Sequence, residues 1–366
     1  MAISYIPVIA AKKGEFDALR NLTPSISKKI LPLFELPQRN SENGLIEPAI
    51  DRIARSAGKN WGNRSALLDI SKWRPNARTE NKIHVLEYAF SQFTDEGVRV
   101  DPVIGYDRWG DSTYRLALIN IFNKHTKIRP CIRFDKESIN DDMRDEDYFF
   151  EQIESLLDTL DLDPSSCYAM LDFRDVSNIA APDLIEIAEN AIHVLRDAGF
   201  EEVIFAGGSM PVTVDNAVKT RDSAGCITRI EMLAWKAIFS ATADNSIIFG
   251  DYPIRNPDAP DGVIAPHANA KIRYTINNQF FIVRGHSKKE DSLTIQHQIL
   301  AKHLISSKFY SDPTNCWGDA ELQKCALGIR EVRDPTSMIA IDTNCHITAT
   351  VKEIFEHHTS IHAKNL

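Results

Sequence analysis

The sequence predicts an α/β fold: a (β/α)8 TIM-type barrel spanning 1–366 as a single barrel domain, with a long α+β insertion after its eighth strand. Three observations predict it. Eight short apolar runs recur along the chain, each followed by a stretch whose apolar residues return every three or four positions. Successive runs start roughly 25 to 44 residues apart, the length of a strand–helix–strand unit, and right-handed crossovers then set the strands parallel and in order. The first run leads into AAKKGEF, which lacks the glycine-rich phosphate turn that usually opens a doubly wound sheet.

The strands, in order, are YIPVIA (5–10), ILPLFEL (30–36), ALLDIS (66–71), VRVDPVIG (98–105), IRPCIRFD (128–135), CYAMLDF (167–173), EVIFAGG (202–208) and SIIFGDY (246–252). Between them lie helical patterns such as EPAIDRIARSAG, YFFEQIESLLDTL and APDLIEIAENAIHVLRDAG. Gly58, Gly97 and Gly199 directly follow helical stretches and read as C-terminal stops. After strand 8 the pattern breaks, and 253–343 reads as one insertion between strand 8 and helix 8. It opens with a Pro- and Asp-rich loop, RNPDAPDG. AKIRYTINNQFFIVRG then reads as a hairpin turning at 276–278. A helix in LTIQHQILAKHLISS follows, and a second begins near WGDAELQKCAL with Asp319 as its expected cap. A final helix at roughly 346–357 supplies the eighth barrel helix. Such an insertion leaves from the C-terminal face of the barrel and is expected to lie over its mouth as a lid.

Composition narrows the function classes. The chain is 43% hydrophobic and 25% charged, as a soluble globular protein should be, and carries a net charge of −9. That surface repels a bulk polyanion, so wholesale nucleic-acid binding is not expected, while a local basic pocket for a nucleotide is compatible with it. The cysteines at 131, 167, 226, 316, 325 and 345 form no C-x-x-C pair. They predict reduced, mostly buried thiols with neither a disulfide framework nor a structural zinc. The opening MAISYIPVIAAKKGEFD lacks signal-peptide features, and no run approaches the ~18 apolar residues of a membrane span. The expectation is a cytoplasmic protein.

The chemistry should sit at the strand ends. In CYAMLDFRDV a buried-type apolar run finishes in Asp172, Arg174 and Asp175. C-terminal strand ends in this fold face a shared pocket, so they need not be apolar. Those ends supply Glu35, Asp69, Asp107, Arg133 with Asp135, Asp172 with Arg174, Gly207-Gly208-Ser209 and Asp251. Alternation places Arg133 and Asp135 on one face, and Asp172 and Arg174 on one face. Two functional readings follow: Glu35, Asp69, Asp172 and Asp251 as catalytic carboxylates, or Asp69, Asp172 and Asp251 as oxygen ligands of Mg²⁺ or Mn²⁺. The bland alternative, an ion-pair ring that closes the mouth, weighs about equally for any single residue. GGSMP (207–211) reads as an anion-binding turn through Ser209 or, slightly favoured, as a plain tight turn. Arg229 and Glu231 open the next helix and point to the same pocket or to solvent.

The insertion adds Lys271, Arg273, Tyr274, Arg284, Trp317, Asp319 and His346. Lys271 and Arg273 alternate on one strand with Arg284 on its partner, giving a basic patch over an acidic mouth. Trp317 is a stacking surface or simply core. No Ser-His-Asp order, H-E-x-x-H, P-loop or nucleophile elbow is present, and the histidines of FEHHTSIHAKNL read as surface residues.

Several of these stretches carry a likeness. YIPVIAAKKGEFDALRNLTPSISKKILPLFELP, FGDYPIRNPDA, NAKIRYTINNQFFIVRGHS, CWGDAELQKCA and DTNCHIT, ordered from residue 5 to about 350, resemble the phage-type "beta protein" family of phages, prophages and bacteria. The family usually shows two adjacent histidines where this chain has Cys345-His346, and GGSMP departs from its shorter turn. The resemblance implies no activity. It places the family's motifs on Asp251, Lys271, Arg273, Tyr274, Arg284, Trp317, Asp319, Asn344 and His346, and it associates the chain with phage–host conflict.

Two function classes result. One is a hydrolase or phosphodiester-type enzyme acting on a nucleotide or other anionic small molecule, with the carboxylates as metal ligands or proton carriers and Arg133, Arg273 and Arg284 holding the anion. The other is a binding module without turnover, a sensor or immunity component that takes a ligand in the mouth or a partner protein on the lid.

Overall fold

The structure is a computed structural model that describes residues 3–38, 45–259 and 269–364. In chain order the strands are β1 (Tyr5–Ala10), β2 (Leu33–Glu35), β3 (Ser65–Asp69), β4 (Arg99–Gly105), β5 (Cys131–Phe134), β6 (Tyr168–Asp175), β7 (Glu202–Gly208), β8 (Ser223–Thr228), β9 (Ile247–Asp251), β10 (Asn269–Ile276) and β11 (Gln279–Ser287). Strands β1 to β7 and β9 close into an eight-stranded barrel, parallel at every pairing. Helices separate most of its strands, so the molecule is the TIM-type α/β barrel that the eight apolar runs predict.

Period-two alternation divides each strand between two cores. Ile6, Val8, Leu33, Leu67, Met170 and Ile204 fill the barrel interior, while Tyr5, Ile9, Phe34, Leu68, Leu171 and Phe249 face the helices. Gly97 (φ +80°) and Gly199 (φ +90°) end helices in the left-handed region, as the sequence predicts. Gly58 does not stop its helix, which runs Ile46–Trp61. A Cβ there would lie 2.4 Å from the Glu96 carbonyl oxygen, so this glycine serves close helix packing instead.

A second, antiparallel sheet has the order β10-β11-β8. The β10–β11 hairpin turns through Asn277 and Asn278, where the sequence places it, with Asn277 at φ +44°. Its third strand, β8, comes from the connection after β7 and not from the region after strand 8. The glycine-containing SAGCIT, half-buried over most of its length, gives no strong strand signal and becomes a strand only by pairing with β11. Two further expectations are corrected. The last helix is Pro335–Lys364, so it begins well before 346 and the intervening segment is shorter than 253–343. In helix Trp317–Ala326 the cap is Cys316, whose sulfur accepts from the Asp319 N–H, and Asp319 lies in the first turn. Of the loop RNPDAPDG, residues 260–262 lie outside the described residues. No helix among the described residues is long and apolar enough to cross a membrane.

Helix Pro335–Lys364 touches both parts of the molecule. It packs on helix Lys13–Arg20 of the barrel, on β10 and on helix Trp317–Ala326. The second core, which includes Ile272, Tyr274, Val283, Leu304, Leu322 and Ile341, is completed by that helix.

Candidate functional site

At the C-terminal end of the barrel the inward positions of β2, β3, β5 and β6 are Glu35, Asp69, Arg133 and Asp172, all at most 4% exposed. Strand alternation puts them on the inside, one pleat beyond Leu33, Leu67, Cys131 and Met170. Arg133 sits at the centre. Its Nε and Nη2 donate to Asp172 at 3.0 and 2.6 Å, and its Nη1 and Nη2 donate to Glu35 at 3.2 and 3.1 Å. Nη1 also donates to Asp69, and Nη2 to the Tyr252 hydroxyl at 2.7 Å. Arg108 contacts the other Asp69 oxygen at 2.9 Å, and Arg255 donates to Glu35 at 2.6 Å. Three carboxylates thus meet three guanidinium groups. Burial alone would raise the Glu35 carboxyl, but Arg133, Arg255 and Lys72 outweigh it and hold the group well below the usual range. The arrangement is a closed, charge-balanced ion-pair network, which removes the cost of leaving any one of these charges unpaired.

Asp251 does not join it. It follows Phe249 on the outward side of β9 and lies among the helices. There it accepts from Tyr5 Oη at 2.5 Å, from Arg229 Nη2 at 3.1 Å and from His346 Nε2 at 2.9 Å. The Thr275 hydroxyl meets His346 Nδ1 at 2.7 Å, so a neutral ring with its proton on Nε2 satisfies both contacts. Burial keeps the His346 ring below its ordinary pKa despite Asp251. Arg229, fully buried, also reaches Glu353 at 2.8 Å and Glu231 at 3.6 Å. Ser209 donates to Glu231 and accepts from the Ile230 N–H at 2.8 Å, so its hydroxyl is spent on the following helix. Burial pushes Glu231 up to about 7 in spite of Arg229.

This geometry corrects the proposed metal set. Asp69 and Asp172 are held by arginines and Tyr252, and Asp251 faces the opposite side of its strand, so the three do not share a site and offer no open oxygen cage for Mg²⁺ or Mn²⁺. Two face assignments also change. Asp135 lies past β5 and caps helix Lys136–Asn140 by accepting from the Ser138 N–H. β6 bulges between Asp172 and Asp175 and Arg174 adopts φ +53°, which carries its side chain to Asp258 and the Pro257 carbonyl. Asp107 pairs with Arg108 at the edge.

The basic patch of the hairpin divides. Arg273 donates to Asp342 at 3.0 Å and to the Ile254 carbonyl at 3.1 Å. Arg284 turns the other way, to Asp215 and the Val218 and Lys219 carbonyls. Lys271, opposite Arg284 in register, is half-buried, and burial with the nearby Arg273 lowers it to about 8. Tyr274 donates to Asp319 at 2.7 Å, and Asn344 accepts from the Gly318 N–H at 2.9 Å. Trp317 is half-buried against the second core with Arg330 over its ring.

Beside the ion-pair network lies a cavity of about 390 Å³. Ala10 at the end of β1, the start of helix Lys13–Arg20, Pro253 to Arg255 after β9, and Thr336, Ile339 and Thr343 of the last helix line it. Its charged residues are Lys12, Lys13, Arg255 and Arg273, with one acid, Glu15. Burial raises the Glu15 carboxyl above its ordinary pKa. Thr343 is 1% exposed and its hydroxyl has no hydrogen-bond partner. Arg255 joins the two sites, since one nitrogen holds Glu35 while the side chain borders the cavity.

Of these groups the sequence pointed only to Arg273. Arg108 and Tyr252 carried a usable signal, because each directly follows a strand-end acid. Glu15 carried none: nothing in KKGEF marks it out, and its burial comes from the tertiary packing around helix Lys13–Arg20.

The chain is 23% identical over 356 residues to Protein beta of Enterobacteria phage P4, which covers 95% of this chain and 93% of that protein. The family described as Beta protein matches residues 5–352. Those residues take in the barrel, the second sheet and most of the last helix, and the chain belongs to the Beta protein family.

Proposed function

We propose that the protein binds a small anionic molecule, carrying phosphate or carboxylate, in the cavity beside the barrel mouth. One observation carries the reading: in a chain of net charge −9, four cationic residues and a single carboxylate line one cavity of about 390 Å³. That volume lies within the size range of small-molecule sites. The first N–H groups of helix Lys13–Arg20, which has no side-chain cap, lie at the same wall and add favourable partial charge. Thr343 offers a buried hydroxyl with its bonding capacity unspent.

The test is thermal denaturation and calorimetric titration against orthophosphate, pyrophosphate, nucleoside mono- and triphosphates and a dicarboxylate. A true ligand at a hundred times its Kd stabilises by about 2.7 kcal/mol. Charge reversal in Lys12→Glu/Lys13→Glu should weaken that ligand at least about tenfold, in line with loss of a charge-assisted contact. A panel without any shift, or unchanged affinity in the double variant, refutes the proposal.

Turnover of the bound anion, as by a hydrolase or phosphodiester-type enzyme, is the second reading. Glu15 favours it: a buried carboxyl with a raised pKa facing a basic cavity suits general acid–base work. Glu15→Gln should then keep binding and lose turnover. The mouth carboxylates support this reading less, because arginines already hold them. A sensor or immunity role in phage–host conflict rests on the phage P4 relative alone.

A further inference from the structure

Separately from the anion cavity, we infer that Cys316, Asp319 and Cys345 form a binding site for a thiophilic divalent cation of the zinc class. Among the described residues these three are the one group of at least three His, Cys, Asp or Glu side chains whose ligand atoms converge within 4.8 Å of one another. The two sulfurs stand 3.7 Å apart, too far for a disulfide bond. Two thiolates on a tetrahedral zinc, each at ~2.3 Å, are separated by about 3.8 Å. Asp319 completes the triangle, with one oxygen 3.1 Å from the Cys316 sulfur and the other 3.8 Å from that of Cys345.

The surroundings point to a cation independently of the sulfur spacing. Asp319 is 0% exposed, yet among the described residues its carboxylate meets the neutral groups of Tyr274, Asn315, Cys316 and Cys345 and no cationic side chain at ion-pair distance. The buried acids Glu35, Asp69, Asp172, Asp251 and Asp342 each have such a partner. A buried carboxylate without a counter-charge is the anomaly that a bound cation resolves. Its outer contacts are those of a ligand held in place: Tyr274 Oη donates to one oxygen at 2.7 Å and Asn315 Nδ2 to the other at 2.6 Å. Gly318 lets the sulfurs approach, because a Cβ at that position would lie 2.5 Å from the Cys345 sulfur. Cys316, at 8% exposed, is the least enclosed of the three.

No spacing motif announces the set, since its members come from the start of one helix and the middle of another. Binding would displace two thiol protons, leave two thiolates and a carboxylate on the ion, and clamp helix Trp317–Ala326 to helix Pro335–Lys364. Three protein ligands leave the fourth tetrahedral position to water or another small donor.

The test uses full-length protein without a histidine tag, produced with zinc present and purified without chelator. Elemental analysis should find about one zinc per chain, falling to background in Cys345→Ser, while Cys226→Ser, altered at an exposed thiol elsewhere, keeps it. Unmutated apo-protein titrated with Co²⁺ should develop a thiolate-to-cobalt charge-transfer band that Zn²⁺ then abolishes. This second readout holds even where the serine variant fails to fold. Folded, unmutated protein with no bound zinc and no cobalt–thiolate band overturns the inference. So does a Cys316–Cys345 disulfide in peptides mapped without reduction.

Discussion

At the scale of single residues, two buried arginines with opposite surroundings set the electrostatics. Arg133 meets Glu35, Asp69 and Asp172 with Arg108 and Arg255 beside it to share the load, whereas Arg229 is shared among Asp251, Glu353 and Glu231 and cannot serve all three. Glu231, the most distant at 3.6 Å, is the one that burial drives up to about 7. A carboxyl whose folded pKa is raised favours the folded state fully below its unfolded value and loses that stability as pH rises through the folded value. Between about pH 4.5 and 7 the folded protein therefore becomes less stable through this group, on the order of 3–4 kcal/mol at most. Asp342, raised to about 6 by burial, adds to the same trend. Glu35 and Asp251, both lowered, act in the opposite sense and lose stability only when the pH falls through the acid range. Glu231→Gln should flatten the decline, read as urea midpoints at pH 5, 6 and 7.5. An unchanged slope would show that Glu231 is ionised throughout.

Elements meet at separations that a single methyl group decides. Helix Lys13–Arg20 lies against the last helix with Gly14 at the contact, where a Cβ would fall 2.9 Å from Ile339 Cγ2 and 3.0 Å from the Thr336 carbonyl oxygen. The methyl can rotate away, but the carbonyl is backbone and cannot yield without moving the helix. Gly14→Ala should cost about 1–3 kcal/mol, the range of overpacking in a close contact, against a small gain from helix propensity. Because Gly14, Thr336 and Ile339 also line the cavity, ligand affinity should fall with stability. Denaturant midpoints and titration on the same variant check both, and equal stability would mean that the helices separate freely. The β6 bulge is the other decisive element, since it keeps Asp172 inward while turning Arg174 toward the 257–258 segment.

For the whole molecule, the barrel and the second sheet are joined through polar groups as well as apolar ones. His346 bridges Asp251 of the barrel to Thr275 of the hairpin, and Arg229 links Asp251 to Glu353 and the Asn277 carbonyl. Separating the two parts would strand these groups without partners. The last helix, shared by both, would lose packing on each side. Calorimetry should accordingly show one cooperative transition, with calorimetric and van't Hoff enthalpies in agreement. Two resolved transitions would show that the shared helix does not couple the parts.

The sequence by itself determined the barrel, because eight apolar runs at βαβ spacing and their crossovers are local patterns that survive without any tertiary contact. It also located the hairpin turn and brought Glu35, Asp69, Arg133 and Asp172 to one end, since strand alternation fixes which side chains point inward. Tertiary structure decided the rest. β8 is a strand only by virtue of β11, and Asp251 looks inward from the sequence alone but lies one residue out of phase with the interior of its strand. Lys12, Glu15, Arg255 and Thr343 share a cavity, and Cys316 and Cys345 touch, only because one long helix returns across the barrel. Periodicity records how a residue faces its own element; which distant residue it meets depends on the packing of elements far apart in the chain, and no local pattern encodes that.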